Sequence, residues 1–167
     1  MADVILFKET QRFPQGLIWL ILVCTNGPLH YFFTRNFIRA VPFDEKPITS
    51  LSLTLVFLLS LIIIIFFLII RLETIIKEDG IYVRFYPFHS HYRIYTWDSI
   101  SQAYVREYKP IAEYGGWGMR MGLFGSGPAF NISGNKGIQL VFHDNSKLLI
   151  GTQRPDEMTE VLRRIGF

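Results

Sequence analysis

The residues of this chain that could carry out chemistry are few and scattered. His89 and His91 alternate along one short stretch, and together with His143 they could bind a metal ion. Cys24 is the only cysteine, so no intramolecular disulfide can form. No serine lies in a Gly-x-Ser-x-Gly elbow, and no Gly-Lys-Ser or Gly-Lys-Thr phosphate loop occurs. A pair of surface histidines more often binds no metal than binds one, so we expect no metal site. Because none of these patterns supplies a catalytic residue or a cofactor site, we predict that the protein has no cofactor and is not an enzyme.

The glycine tract is the other stretch that could bind a ligand. Residues 114–137 read YGGWGMRMGLFGSGPAFNISGNKG and hold eight of the 13 glycines of the chain. Such a tract can be flexible, can hold a ligand against bare backbone, or can build a sheet with unusual bends. We favour the third interpretation: GWGMRM and PAFNIS form one hairpin, Gly122, Gly125 and Gly127 lie in its connection, and Gly115 and Gly116 form a bulge at its entry.

The same tract carries the candidate interaction surface. An indole with cationic and amide neighbours could hold a lipid headgroup or a partner protein. The residues of this predicted surface are Trp117, Arg120, Asn131, Asn135 and Lys136.

Two uncharged apolar intervals lie in the first 71 residues. Residues 48–70 read ITSLSLTLVFLLSLIIIIFFLII, and 23 residues of helix would be about 34 Å long, enough to cross a hydrocarbon core of about 30 Å. Residues 14–34 are also uncharged but are interrupted by Asn26, Gly27, Pro28 and His30. We therefore expect two transmembrane helices, over 14–34 and 48–70, with the first kinked or shortened. A buried core helix and a cleaved signal peptide are the competing interpretations.

The basic residues predict the orientation of these spans. Five flank the pair of spans (Lys8, Arg12, Arg71, Lys77 and Arg84), and three lie between them (Arg35, Arg39 and Lys46). This bias predicts that both termini face the cytosol. The sequon Asn131-Ile132-Ser133 would then have no meaning.

The chain after Arg71 has the pattern of a compact β domain. Short β-branched and aromatic runs alternate with turn signals: Asp79-Gly80 predicts one tight hairpin, and Asp144-Asn145-Ser146 predicts another. About seven strands are expected. Residues 155–165 then predict a helix with a stripe of apolar side chains that covers the sheet, formed by Met158, Val161, Leu162 and Ile165.

Five stretches carry a resemblance to a known family. They are IIKEDGIYVRFYPFH, YTWDSI, YGGWGMR, NISGNKGIQL and IGTQRPDEM, in this order after the two apolar intervals. The chain resembles the bacterial PH-like (pleckstrin-homology fold) membrane protein family over nearly its whole length. The resemblance implies a cytosolic PH-type barrel, capped by its C-terminal helix and carried on a membrane hairpin in the bacterial inner membrane. It implies no ligand.

These observations predict the fold class and the function together. We expect an α+β membrane protein, with two N-terminal transmembrane helices in residues 1–71 and a PH-like antiparallel β-barrel or sandwich in residues 72–167. The leading function is a non-enzymatic, membrane-anchored interaction or scaffold module, with the bilayer and another protein or a second copy as partners. An accessory subunit of a transport or channel assembly is the alternative, and a lipid-acting enzyme is less favoured. Twelve basic against ten acidic residues after position 70 indicate no nucleic-acid partner.

Overall fold

The chain is divided into two compact units. The computed structural model describes residues 4–13, 15–39, 50–122 and 126–167. One unit comprises Met1–Phe13 and Ile70–Phe167, and the other comprises Pro14–Ile69. Parts of the sequence interpretation depend on residues that lie outside the described ranges, namely Lys46, residues 48–49 and Gly125. The N-terminal residues thus belong with the C-terminal part of the chain, and the helical unit is an insertion between them.

The inserted unit contains two helices, α1 (Gln15–Arg39) and α2 (Ser50–Ile69). Pro28 lies inside α1, where it removes one backbone donor. The Asn26 side chain donates a hydrogen bond to the Leu22 carbonyl oxygen one turn earlier, at 2.9 Å, and so is satisfied within its own helix. The two helices touch where the rings of His30 and Phe57 meet edge to face, with centroids 4.7 Å apart.

The prediction of membrane spans is wrong. Within the four described ranges, no helix is both long and apolar enough to cross a bilayer. This finding overturns the two transmembrane helices over 14–34 and 48–70, the α+β membrane fold class, and the multi-pass inner-membrane location with cytosolic termini. Polar residues and Pro28 interrupt α1.

Sheet A has four antiparallel strands in the order β1-β2-β3-β4. They are β1 (Ile5–Gln11), β2 (Arg71–Lys77), β3 (Gly80–Tyr86) and β4 (Arg93–Thr96). Lys77 pairs with Gly80, so the turn of the first hairpin is Glu78-Asp79, one residue earlier than the predicted pair. Gly80 is required for another reason: a Cβ there would overlap the Tyr95 carbonyl oxygen of β4.

Sheet B has five strands in the order β5-β8-β9-β7-β6. They are β5 (Ile100–Glu107), β6 (Gly118–Met121), β7 (Pro128–Asn131), β8 (Lys136–Phe142) and β9 (Lys147–Gly151). A 3-10 turn (Trp97–Ser99) precedes β5, and a short helix α3 (Pro110–Tyr114) follows it. The β8–β9 hairpin is confirmed, with Asn145 in the left-handed conformation at its turn. Strands β7 and β9 run parallel, so the sheet is mixed.

The predicted β architecture therefore needs correction in three respects. The described residues form nine strands, not about seven. The parallel pairing of β7 with β9 departs from an all-antiparallel barrel. The first strand, β1, precedes the helices, although the sequence interpretation placed the whole β domain after residue 71.

The core lies on the inner face of sheet A and is continued by sheet B and the C-terminal helix α4 (Pro155–Arg164). Alternate residues of β2 and β3 are fully buried, as a half-exposed sheet requires: Leu72, Thr74, Ile76, Ile81, Val83 and Phe85. The prediction of the terminal helix is confirmed, and Met158, Val161 and Leu162 of its apolar stripe are buried. Helix α4 contacts β1, β5 and β8.

Strand β1 contributes inward-facing side chains that fix it to the end of the chain. Phe7 is buried in the core. The buried Glu9 carboxylate accepts hydrogen bonds from the Thr152 hydroxyl at 2.7 Å and from the Gln153 backbone N–H at 2.8 Å. Gln11 donates to the Gly151 carbonyl oxygen at 2.6 Å. These contacts span 140 residues of sequence or more and make β1 an integral part of the fold.

Candidate functional site

The segment that leads into the glycine tract is a single helical turn that ends at a glycine. Helix α3 closes with backbone bonds from Gly115 N to the Ile111 carbonyl oxygen and from Gly116 N to the Pro110 carbonyl oxygen. Gly115 has φ 70°, the left-handed conformation that terminates helices and that glycine adopts at least cost. The bulge predicted at Gly115 and Gly116 is therefore a helix C-terminus.

The predicted hairpin is present. Strands β6 and β7 pair antiparallel from Gly118 with Asn131 to Met121 with Pro128. Gly122 N donates to the Gly127 carbonyl oxygen at 2.7 Å and closes the pairing. Gly127 has φ 72°, and a Cβ there would overlap the Lys147 carbonyl oxygen. The glycines of this hairpin are thus required by backbone conformation and by the close approach of β9.

Trp117 is held in one position although its ring is at the surface. Its indole N–H donates to the Gly134 carbonyl oxygen at 2.8 Å, and its own carbonyl oxygen accepts from Arg120 Nε at 3.0 Å. The side chain keeps 40% of its area exposed. The structure therefore brings Trp117 and Arg120 together, beside the turn that precedes β8.

Asn135 and Lys136 lie at that turn and are exposed. The Asn135 side chain donates to the Glu107 carboxylate at 2.6 Å, and its carbonyl oxygen accepts from Tyr108 N at 2.8 Å. Both contacts fix the turn to the end of β5. Four of the five predicted surface residues are thus exposed: Trp117, Arg120, Asn135 and Lys136. The hydrogen bond from Trp117 to Gly134 joins the two segments on which they lie.

Asn131, the fifth predicted surface residue, is fully buried. Its side-chain oxygen accepts a hydrogen bond from Gly118 N at 2.8 Å, so it fixes the residue that follows Trp117. Its Nδ2 is buried without a good hydrogen bond, and so is the Tyr108 hydroxyl nearby. Burial raises the pKa of Tyr108, and the neighbouring Asn131 amide partly opposes this effect. Asn131 therefore acts below the surface, as a support for β6.

A small second core lies under the hairpin. Tyr108, Tyr114, Ala129 and Leu149 are buried together, and the rings of the two tyrosines meet edge to face at 5.8 Å. Arg106 closes one side, because it bonds to the Glu113 carboxylate at 2.7 Å and the Tyr114 hydroxyl at 3.2 Å. The bond from Arg106 lowers the pKa of Glu113. Through Ala129, this cluster anchors β7, the strand that pairs with β6.

Strand β6 exposes two residues that the sequence interpretation did not include in the surface. Met119 and Met121 are 43% and 78% exposed. They alternate with Arg120, so both methionines project from one face of the strand and Arg120 from the other. The alternation in GMRM was visible in the sequence and could have indicated this edge.

The histidines do not form a metal site. Among the described residues, no group of three or more His, Cys, Asp or Glu side chains is placed to hold a metal ion. His89 is buried, and its Nδ1 accepts a hydrogen bond from Phe85 N at 3.2 Å. Burial lowers the pKa of His89, and the nearby Arg93 charge lowers it further. His89 is therefore a neutral core residue.

A shallow cavity of about 460 Å³ lies on another part of the sheet unit. Tyr95, Phe142, Ser99, His143, Asp144 and Ser146 line it. The Ser99 hydroxyl donates to the Thr96 carbonyl oxygen, and the Asp144 carboxylate accepts from Ser146 N, so these groups stabilise their own turns. Neither bond is the nucleophile-to-base contact that covalent catalysis needs.

No family model, no curated protein and no solved structure matches this chain. The resemblance to PH-like membrane proteins therefore stays a prediction made from the sequence. The geometry of β6 and its surroundings is the feature that indicates a function.

Proposed function

We propose that the chain is a non-enzymatic protein-interaction module, and that the open edge of β6 binds an extended segment of a partner protein. The observation that carries the proposal is that β6 is the last strand of sheet B, paired with β7 on one side. An extended peptide that adds to such an edge gains main-chain hydrogen bonds, and pockets for alternate side chains give specificity.

The backbone of β6 supports this mode of binding. Gly118 N bonds to Asn131, and Gly122 N bonds to Gly127, so the N–H groups of the even-numbered residues point towards β7. Successive peptide groups of a strand point in opposite directions. The N–H and C=O groups of Met119 and Met121 therefore point to the open edge, where a partner strand can reach them.

The side chains indicate the chemistry of the partner. Met119 and Met121 present flexible apolar surface that adapts to varied side chains, and Trp117 is a fixed aromatic anchor. Arg120 makes no ion pair with any residue that the structure describes, and Lys136 is exposed close to the Trp117 turn. We infer that the segment bound is apolar at alternate positions and carries an acidic residue that pairs with Arg120.

A photo-crosslinking experiment tests the proposal. A photoreactive phenylalanine at Met121 should crosslink, in cells, to an extended segment of one other protein. The same group at Tyr104, which is exposed on β5, is the matched control and should not. Met119→Pro removes an outward N–H while leaving the bonds to β7, so it should abolish the crosslink from position 121. Equal crosslinking from both positions, or crosslinking that survives Met119→Pro, would overturn the proposal.

A further inference from the structure

The side chain of Arg120 lies on the open edge of β6, close to the start of the strand. The Gly118 N–H donates to the Asn131 side chain of β7, so it points towards β7. The Trp117 carbonyl belongs to the same trans peptide group and therefore points in the opposite direction, to the open edge. Arg120 Nε donates to this carbonyl oxygen at 3.0 Å. The hydrogen bond places the positive charge of Arg120 beside Trp117, on the side that a partner strand would approach.

The guanidinium group of Arg120 keeps donors that its surroundings do not use. Nε bonds to Trp117, and no residue in the four described ranges accepts a hydrogen bond from either terminal nitrogen. Glycine leaves room around the group: a Cβ at Gly116 would lie 3.8 Å from Nη2, and a Cβ at Gly118 would lie 3.9 Å from Nε. An exposed, planar guanidinium with free N–H groups is suited to binding a carboxylate through two parallel hydrogen bonds. The start of the open edge therefore fits a carboxylate.

The direction of strand addition indicates which carboxylate this is. In an antiparallel pair, the C-terminal end of the added segment lies beside the start of β6. The outward backbone groups of Met121 and Met119 would pair with the segment, but the next acceptor along the edge, the Trp117 carbonyl oxygen, already accepts from Arg120. Pairing therefore ends where the guanidinium lies. A parallel segment would instead begin there, and a positively charged N-terminus would be repelled by Arg120.

We propose, building on the proposed function of β6, that the bound segment is the C-terminus of a partner chain and that its α-carboxylate pairs with Arg120. The residues before the carboxylate add to the edge as an antiparallel strand, and apolar side chains among them contact Met119 and Met121. The acidic group expected opposite Arg120 is then the end of the chain and not an acidic side chain. Such a site combines strand addition with capture of a terminal carboxylate.

An array of short peptides with varied apolar C-terminal sequences tests the role of the carboxylate. Each peptide is made twice, once with a free C-terminal carboxylate and once with a C-terminal amide. The full chain should bind the carboxylate forms at least about tenfold more tightly, because the amide lacks the charge that pairs with Arg120. Arg120→Ala should abolish this preference, whereas Arg163→Ala, which removes an exposed arginine of α4, should preserve it. Binding of neither form, equal binding of both, or a preference that survives Arg120→Ala would overturn the inference.

Two further readouts separate a failure of this inference from a failure of the proposed function. If both forms of a peptide bind equally and Met119→Pro abolishes their binding, the edge accepts added strands and only the recognition of a C-terminus is wrong. The crosslink from Met121 gives the second readout. Because Met121 lies four residues after Trp117, the crosslinked residue should lie about four residues before the end of the partner chain. A crosslink to the middle of the partner chain would overturn the inference and leave the proposed function intact.

Discussion

Excision of the helical unit should leave a folded sheet unit. Gln11 of β1 pairs with Leu72 of β2, so the two ends of the inserted segment meet at one edge of sheet A. Replacing residues 14–69 by Asn-Gly would join the two strands through a tight turn of the type that hairpins prefer. We expect the shortened chain to unfold in one cooperative transition.

The expected gain in stability follows from loop closure. In the full chain, the 60 residues from Arg12 to Arg71 connect the paired Gln11 and Leu72. In the shortened chain, six residues connect them. The entropic cost of closing a loop grows as about 1.5RT times the logarithm of its length, so the shorter loop should stabilise the sheet unit by about 2 kcal/mol.

The assay is urea unfolding followed by tryptophan fluorescence, with two controls. Phe7→Ala in the shortened chain should cost about 3–5 kcal/mol, because the Phe7 side chain is buried in the core. Residues 71–167 alone lack β1 and should be unfolded or molten, since the loss includes the Glu9 hydrogen bonds. A shortened chain without a cooperative transition, or a 71–167 fragment that is equally stable, would refute the reasoning.

Three further predictions concern single residues. Leu162→Asp should lower the free energy of unfolding by about 3–5 kcal/mol, as measured by chemical denaturation, since Leu162 lies on the buried face of α4 and an aspartate there would lack a partner. Gly127→Ala should lower the free energy of unfolding by about 1–3 kcal/mol, because the position has φ 72° and a Cβ would overlap β9. Gly134→Ala is the control: its φ of 77° is similar, but the space around it is open, so this variant should lose less stability. The pKa of His89 is lowered in the folded chain, so the unfolded chain binds a proton more readily than the folded chain does. The free energy of unfolding should therefore fall as the pH drops below 6.5, and His89→Gln should remove this part of the pH dependence. Identical pH profiles of the variant and the original chain would contradict this prediction.

Local patterns in the sequence were sufficient for most of the sheet unit. The β8–β9 hairpin, the glycine hairpin and the terminal helix follow from signals within a few residues of each other: a turn triplet, an alternation, or an apolar stripe after Pro155. Such features depend on the conformational preferences of neighbouring residues and on the periodicity of apolar residues. Both can be read from a short stretch of sequence.

The features that could not be predicted depend on contacts between distant residues. Nothing near Ile5–Gln11 indicates that its partner begins at Arg71, and the parallel pairing of β7 with β9 has no local signal. The burial of Asn131 depends on its contact with Gly118 across the hairpin. The apolar run at 48–70 indicated a helix correctly, but an apolar helix alone does not reveal what covers it.

The bonds between Glu9 and the segment Thr152–Gln153 affect the order of events during synthesis. Strand β1 leaves the ribosome first, and at about 5–20 residues per second the residues that satisfy its buried carboxylate follow only about 7–30 seconds later. Until then β1 can pair with β2, but the Glu9 carboxylate lacks the hydrogen bonds from the segment before α4. The sheet unit can close only after Thr152 and Gln153 have left the ribosome. A nascent chain stalled before residue 152 should therefore remain sensitive to proteases near its N-terminus, whereas a released chain should be protected there.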